Sequence, residues 1–118
     1  MVDQEDTIFH KIIKKEIPSK MIYEDEDVYA FKDINPCAPF HCLVIPKNMQ
    51  GLSSLSKANE SHLDILGKLM LAVSKIAAQE KLEKGFRTVI NTGEEGGQTV
   101  DYIHIHIIAG RNLSWPPG

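Results

Sequence analysis

The chain is poor in the features that commit a small protein to a special environment. It has only two cysteines, Cys37 and Cys42. Two are too few for a disulfide framework and lack metal-type spacing, so they read as reduced thiols of a cytosolic protein. No apolar run approaches the ~20 residues of a membrane span. The opening Met1-Val2-Asp3-Gln4-Glu5-Asp6 is acidic, the opposite of a signal peptide. Basic residues have no excess: 13 Lys and Arg stand against 16 Asp and Glu, a net charge of −3. That balance argues against a nucleic-acid partner. Internal repeats and low-complexity segments are missing too. The expectation is a cytoplasmic protein, with the nucleus as a second location, and with neither a membrane nor a nucleic acid as partner.

What is there is ordinary globular material. Hydrophobic residues make up 42% and charged residues 25% of 118. That length fits one domain, large enough to bury a core without disulfides or a structural metal. Residues 1–6 read as a flexible tail and 7–118 as a single domain. Thr7 is placed to cap a short helix through about Lys15, with Ile8, Phe9 and Ile12 on one face, stopped by Pro18. Met21–Glu24 and Val28–Lys32 look like strands joined by an acidic turn. Residues 33–40 read as a loop, and His41–Ile45 as a compact strand closed by Pro46. A long helix is expected over Glu60–Leu82. Leu63, Leu66, Met70, Val73 and Ala77 form one stripe of it, and Ile65, Leu69, Ala72 and Ile76 a second. So wide an apolar face means either deep burial or one stripe on a sheet and the other on a second subunit. Phe86–Asn91 and Val100–Ala109 are the remaining strand candidates, and Trp115-Pro116-Pro117-Gly118 is neither helix nor central strand. This order of elements implies an α+β fold with helices packed on an antiparallel sheet.

The chemistry concentrates late in the chain. In Tyr102-Ile103-His104-Ile105-His106-Ile107, alternate side chains of a strand share a face. Tyr102, His104 and His106 then point one way and the isoleucines the other, into a core. Paired imidazoles suit acid–base or nucleophilic work near neutral pH, and also a metal clamp. Alone, such a pair reads as a half-exposed polar face. The loop before it, Asn91 to Thr99, contains Gly93, Gly96 and Gly97, and successive amides of tight turns can cradle a phosphate. The combination is more specific than either part.

With these features in view, the sequence resembles the histidine triad family, and its Hint branch of nucleotide-binding phosphoramide hydrolases. The resemblance runs from Ile8 to Gly118. It rests on Ile8-Phe9-His10-Lys11-Ile12-Ile13, Phe31-Lys32-Asp33-Ile34-Asn35-Pro36, Ala38-Pro39-Phe40-His41-Cys42-Leu43-Val44-Ile45-Pro46-Lys47, Gly96-Gly97-Gln98-Thr99, the His104/His106 strand and the terminal Trp115-Pro116-Pro117-Gly118. One departure stands out: Tyr102 occupies the place of the first of three motif histidines.

The resemblance implies a five-stranded antiparallel sheet per subunit, one short N-terminal and one long central helix, and a sheet continued across a twofold homodimer. It implies that His104 attacks the phosphorus of a purine nucleoside 5′-phosphoramidate, forming a nucleotidyl-histidine that water hydrolyses to a nucleoside monophosphate. His106 and His41 complete the polar site. Asp33 takes the ribose hydroxyls, which suits an acceptor-only carboxylate. Asn91, Gly97, Gln98 and Thr99 serve the phosphate side. Ile8, Phe9, Ile12, Phe31, Ile34 and Leu43 surround the base, and Trp115 reaches toward the partner's site. No cofactor and no metal are implied. One alternative is a nucleotide-binding protein whose catalysis is weakened or lost through Tyr102, although a tyrosine can still make a supporting hydrogen bond. Another is a zinc protein using His104, His106 and His41, which lacks the four ligands and thiolates usual in structural sites. A third is the related branch that cleaves dinucleoside polyphosphates, which the short length and Trp-Pro-Pro-Gly ending resemble less.

Overall fold

A computed structural model describes residues 7–118; the expected tail, residues 1–6, lies outside the described residues. The element order is α1 (Ile8–Ile13), β1 (Met21–Glu24), β2 (Val28–Lys32), β3 (Phe40–Pro46), short 3₁₀ turns at Leu55–Lys57 and Glu60–His62, α2 (Leu63–Gln79), β4 (Arg87–Val89) and β5 (Ile105–Ala109). The strands form one five-stranded sheet in the order β1-β2-β3-β5-β4. Each adjacent pair is antiparallel. The α+β expectation and both helices are present.

Local chemistry accounts for most boundaries. The Thr7 hydroxyl accepts the His10 amide and caps α1. That helix ends at Ile13 rather than Lys15, because Lys15 adopts a left-handed conformation at φ 66°. Between β1 and β2, Asp25 Oδ1 accepts the amides of Asp27 and Val28, each at 2.8 Å, closing the acidic turn. α2 is shorter than the periodicity suggests. Its first expected turn is the 3₁₀ segment capped by Asn59, and Lys81, at φ 58°, turns the chain out of the helix.

The two faces of the sheet carry separate cores. Val28, Ala30, Cys42, Val44, Ile105 and Ile107 meet Ile65, Leu69, Ala72, Val73 and Ile76 of α2. Tyr29, Phe31, Leu43 and Ile45, the intervening residues, meet Phe9 and Ile12 of α1. This is the period-two pattern of strands buried on both faces. Because α1 is only 6 residues long, it covers only part of its face. The candidate site lies on that face.

Of the two α2 stripes, the one containing Ile65, Leu69, Ala72 and Ile76 is buried, with Val73 beside it. Leu63, Met70 and Leu71 are exposed in the single chain. Deep burial of both stripes is thereby excluded. Among the described residues, no helix is long and apolar enough to cross a membrane.

Candidate active site

β3 and β5 are neighbours, with Leu43 opposite His106 and His41 opposite Ile108. Diagonal residues on one face of an antiparallel pair lie within reach of long side chains. His41 and His106 are such a pair, and His41 Nε2 lies 2.9 Å from His106 Nδ1. Cys42, next to His41 in sequence, points into the opposite core. Burial pushes its thiol up to about 12, which leaves it unreactive.

Hydrogen bonds settle which nitrogen of each ring carries the proton. The Cys37 amide donates to His41 Nδ1 at 3.1 Å. A neutral His41 therefore carries its proton on Nε2 and donates it to His106 Nδ1. His106 in turn carries its own proton on Nε2. Arg111 steadies the loop by donating twice to the Cys37 carbonyl, at 3.1 and 3.3 Å. His104 is held the other way: its Nδ1 donates to the Tyr102 carbonyl at 2.7 Å, leaving Nε2 as a bare lone pair. The His104 and His106 rings are 5.1 Å apart, centre to centre. A ring with a bare lone pair and a ring with a free N–H donor are thus neighbours.

Burial keeps both rings neutral. It lowers the pKa of His104, partly opposed by the Tyr102 carbonyl and Asp33. Burial is also the largest cause at His106, followed by the nearby His104 and His41, and its pKa falls to about 4. Asp33 Oδ2 stands 3.5 Å from His41 Nε2.

Beside the histidines opens a cavity of about 300 Å³. Ile8, Phe9, Ile12, Phe31, Ile34 and Leu43, the six apolar residues expected around a base, all line it, as do Asp33, Thr99, His104 and His106. Ile17, Pro18, Ser19, Lys32 and Val100 also line it. Sequence reasoning missed these five, because only the path of the chain after α1 and before β5 brings them in.

Three expectations need correction. The continuous strand over Val100–Ala109 is absent: β5 begins at Ile105. The chain before it dips inward, where the Tyr102 amide turns back onto the Val100 carbonyl and the Ile103 amide bonds the Leu52 carbonyl. Tyr102 shares the face of His104 as expected, with Phe9 edge-on to both rings, but it is not a half-exposed polar residue. Its ring is fully buried among Phe9, Tyr29 and Phe31, and its hydroxyl donates to the Pro46 carbonyl. The glycine loop is largely self-satisfied. The Gly97 and Gln98 amides close turns onto Glu94 and Gly93. The Gln98 side chain accepts the Gly93 amide and donates to the Ser53 and Val100 carbonyls. Gln98 therefore staples the loop, and Thr99 is its contribution to the cavity wall. Asn91 and Gly97 are not in that wall. Trp115 is 80% exposed, on a tail tethered where Arg87 donates to the Ser114 carbonyl at 2.9 Å.

Fold and site together define a small sheet protein with a histidine array beside an apolar slot. Residues 14–113 match the HIT domain. A relative from Zea mays, named 14 kDa zinc-binding protein, is 56% identical over 117 residues, spanning 99% of this chain and 91% of its own. Adenylylsulfatase HINT1 of Arabidopsis thaliana is 55% identical over 112 residues, spanning 95% of this chain and 76% of its own. The crystal structure of a HIT family hydrolase from Legionella pneumophila superposes with a TM-score of 0.91 at 38% identity, over 96% of this chain and 100% of its own. The chain belongs to the histidine triad family.

The Zea mays name raises the question of a cation. Asp33, His41 and His106 each place a ligand atom within 4.8 Å of the others. A metal there would need the lone pair of His41 Nε2. The Cys37 amide takes the lone pair of Nδ1 instead, which puts the ring proton on Nε2, facing the other two ligands. In this tautomer the donor set does not fit a resident metal.

Proposed function

We propose that the protein is a hydrolase of purine nucleoside 5′-phosphoramidates that works through a nucleotidyl-histidine and releases a nucleoside monophosphate. The observation that carries this reading is the opposite protonation of the two neighbouring rings, His104 with a bare Nε2 and His106 with its proton on Nε2 through the His41 bond. A neutral imidazole attacks phosphorus without help from a metal. As the His104 Nε2–P bond forms, the P–N bond to the amine breaks; the amine leaves with a proton taken from solvent, and the His106 Nε2–H donates a hydrogen bond to the departing nitrogen. Water then attacks phosphorus, the bond to His104 breaks, and the proton released from the water goes back to solvent. Splitting one displacement into two lowers each barrier.

In this reading the base lies in the slot of Ile8, Phe9, Ile12, Phe31, Ile34 and Leu43. Asp33 accepts the ribose hydroxyls. Thr99 meets the phosphate, with Asn91, Gly97 and Gln98 setting the shape of the loop that carries it. The name of the Arabidopsis relative adds adenylyl sulfate as a second substrate class, whose leaving group needs no proton. The working unit is a twofold dimer, packed through the exposed Leu63, Met70 and Leu71 of α2, with Trp115 reaching the partner's site. Support comes from the exposure of those residues and from the family membership.

The test is AMP release from adenosine 5′-phosphoramidate and from adenylyl sulfate, comparing the wild type with His104→Ala. Turnover that vanishes in the variant is expected. AMP binding without turnover in the wild type would refute the reading and leave a nucleotide-binding module.

A further inference from the structure

The β-ladder stops one residue short of His104. The carbonyl that sets the His104 tautomer therefore belongs to a segment no strand partner holds in place. Other anchors do that work. The peptide group joining Tyr102 to Ile103 carries this carbonyl, and its N–H is bonded to the Leu52 carbonyl at 2.8 Å. The Tyr102 hydroxyl donates to the Pro46 carbonyl at the end of β3. Burial raises the pKa of that hydroxyl, so it stays a donor. The ring is clamped from α1: His10 and Phe9 meet it edge-on, at 4.7 and 5.8 Å between centres. His10 Nδ1 is itself 2.7 Å from the Thr7 hydroxyl, and Phe9 also meets the His104 ring edge-on at 5.0 Å. The same short helix thus walls the slot and grips Tyr102, two positions before the nucleophile.

We propose that Tyr102 is a positioning residue for His104: its bond to Pro46 fixes the carbonyl that keeps the proton on His104 Nδ1 and leaves Nε2 free to attack. This rests on the reading of His104 as nucleophile. A hydroxyl deep in a core can also be purely structural, so the test needs a readout that stability alone does not move.

Tyr102→Phe keeps the ring and its packing and removes only the donor. The His104 tautomer is read by ¹⁵N NMR at pH 7.5, without substrate. The wild type is expected to show the Nδ1–H form, and the variant a mixture with the Nε2–H form. With adenosine 5′-phosphoramidate, kcat is expected to fall roughly ten- to a hundredfold, the range for outer partners that orient a reacting group, with KM little changed. Tyr102→4-aminophenylalanine restores a donor and is expected to recover most of both signals. If Tyr102→Phe does not fold, the aminophenylalanine variant, a weaker donor, is expected to show a smaller shift in the same direction. An unchanged tautomer in the folded variants overturns the proposal, even if they melt lower. The tautomer signal needs no turnover. An inactive wild type would thus sink the proposed function, while the NMR result still decides the role of Tyr102.

Discussion

Acid should weaken this fold through His106 in a measurable way. An unfolded histidine takes up its proton near pH 6.5, whereas His106 in the fold does so only near 4, chiefly because it is buried. Between these values the unfolded chain binds a proton that the native protein does not. Stability from this group is therefore full above pH 6.5 and is lost as pH falls toward 4. At about 1.4 kcal/mol per unit, the shift corresponds to about 3 kcal/mol. The ring is only partly buried, and solvent screening reduces this to about 2 kcal/mol. Urea denaturation at pH 7.5 and 4.5 would compare the wild type with His106→Gln, which keeps an acceptor for His41 but cannot titrate. The wild type should lose about 2 kcal/mol more than the variant over this interval. Groups remote from the site contribute to both proteins and cancel in the difference, while the response of His41 and His104, which couple to His106, is part of the effect measured. Parallel losses would refute the assignment of His106 as a ring held neutral by its surroundings.

Three further outcomes are expected. Asp33→Asn replaces one acceptor-only oxygen pair at the proposed ribose position, and calorimetry should show AMP binding about tenfold weaker; an affinity within twofold would remove Asp33 from that role. Gly96→Ala places a Cβ 2.3 Å from the Thr92 carbonyl oxygen, so the loop backbone must move. A loss of roughly 1–3 kcal/mol, with a higher KM through displaced Thr99, is expected in thermal melts and steady-state kinetics. Leu71→Glu, at a position 56% exposed in the single chain, should leave the chain folded by circular dichroism. It should also shift sedimentation from dimer to monomer, and a wild type that already sediments as a monomer would contradict the proposed assembly.

Side-chain alternation and helical periodicity are local properties, and they were readable from the sequence. They separated Ile103, Ile105 and Ile107 from the histidine face and set Cys42 away from His41. They also located both helices and most strands to within a few residues. The six apolar residues of the slot were legible because motif resemblance tied them to one ligand. Periodicity alone would have left them as core. The partners of the histidine rings were not legible. His41 is oriented by a main-chain amide at Cys37, His104 by a carbonyl at Tyr102, and Tyr102 by another carbonyl at Pro46. Backbone groups have no signature in a sequence, and 56 positions separate Tyr102 from Pro46. The same holds for Gln98, whose amide is committed to Ser53. The sequence by itself determined which residues could share a face and which could react. Tertiary closure decided which nitrogen of each histidine carries the proton, because only the folded chain brings the deciding backbone groups within hydrogen-bonding distance.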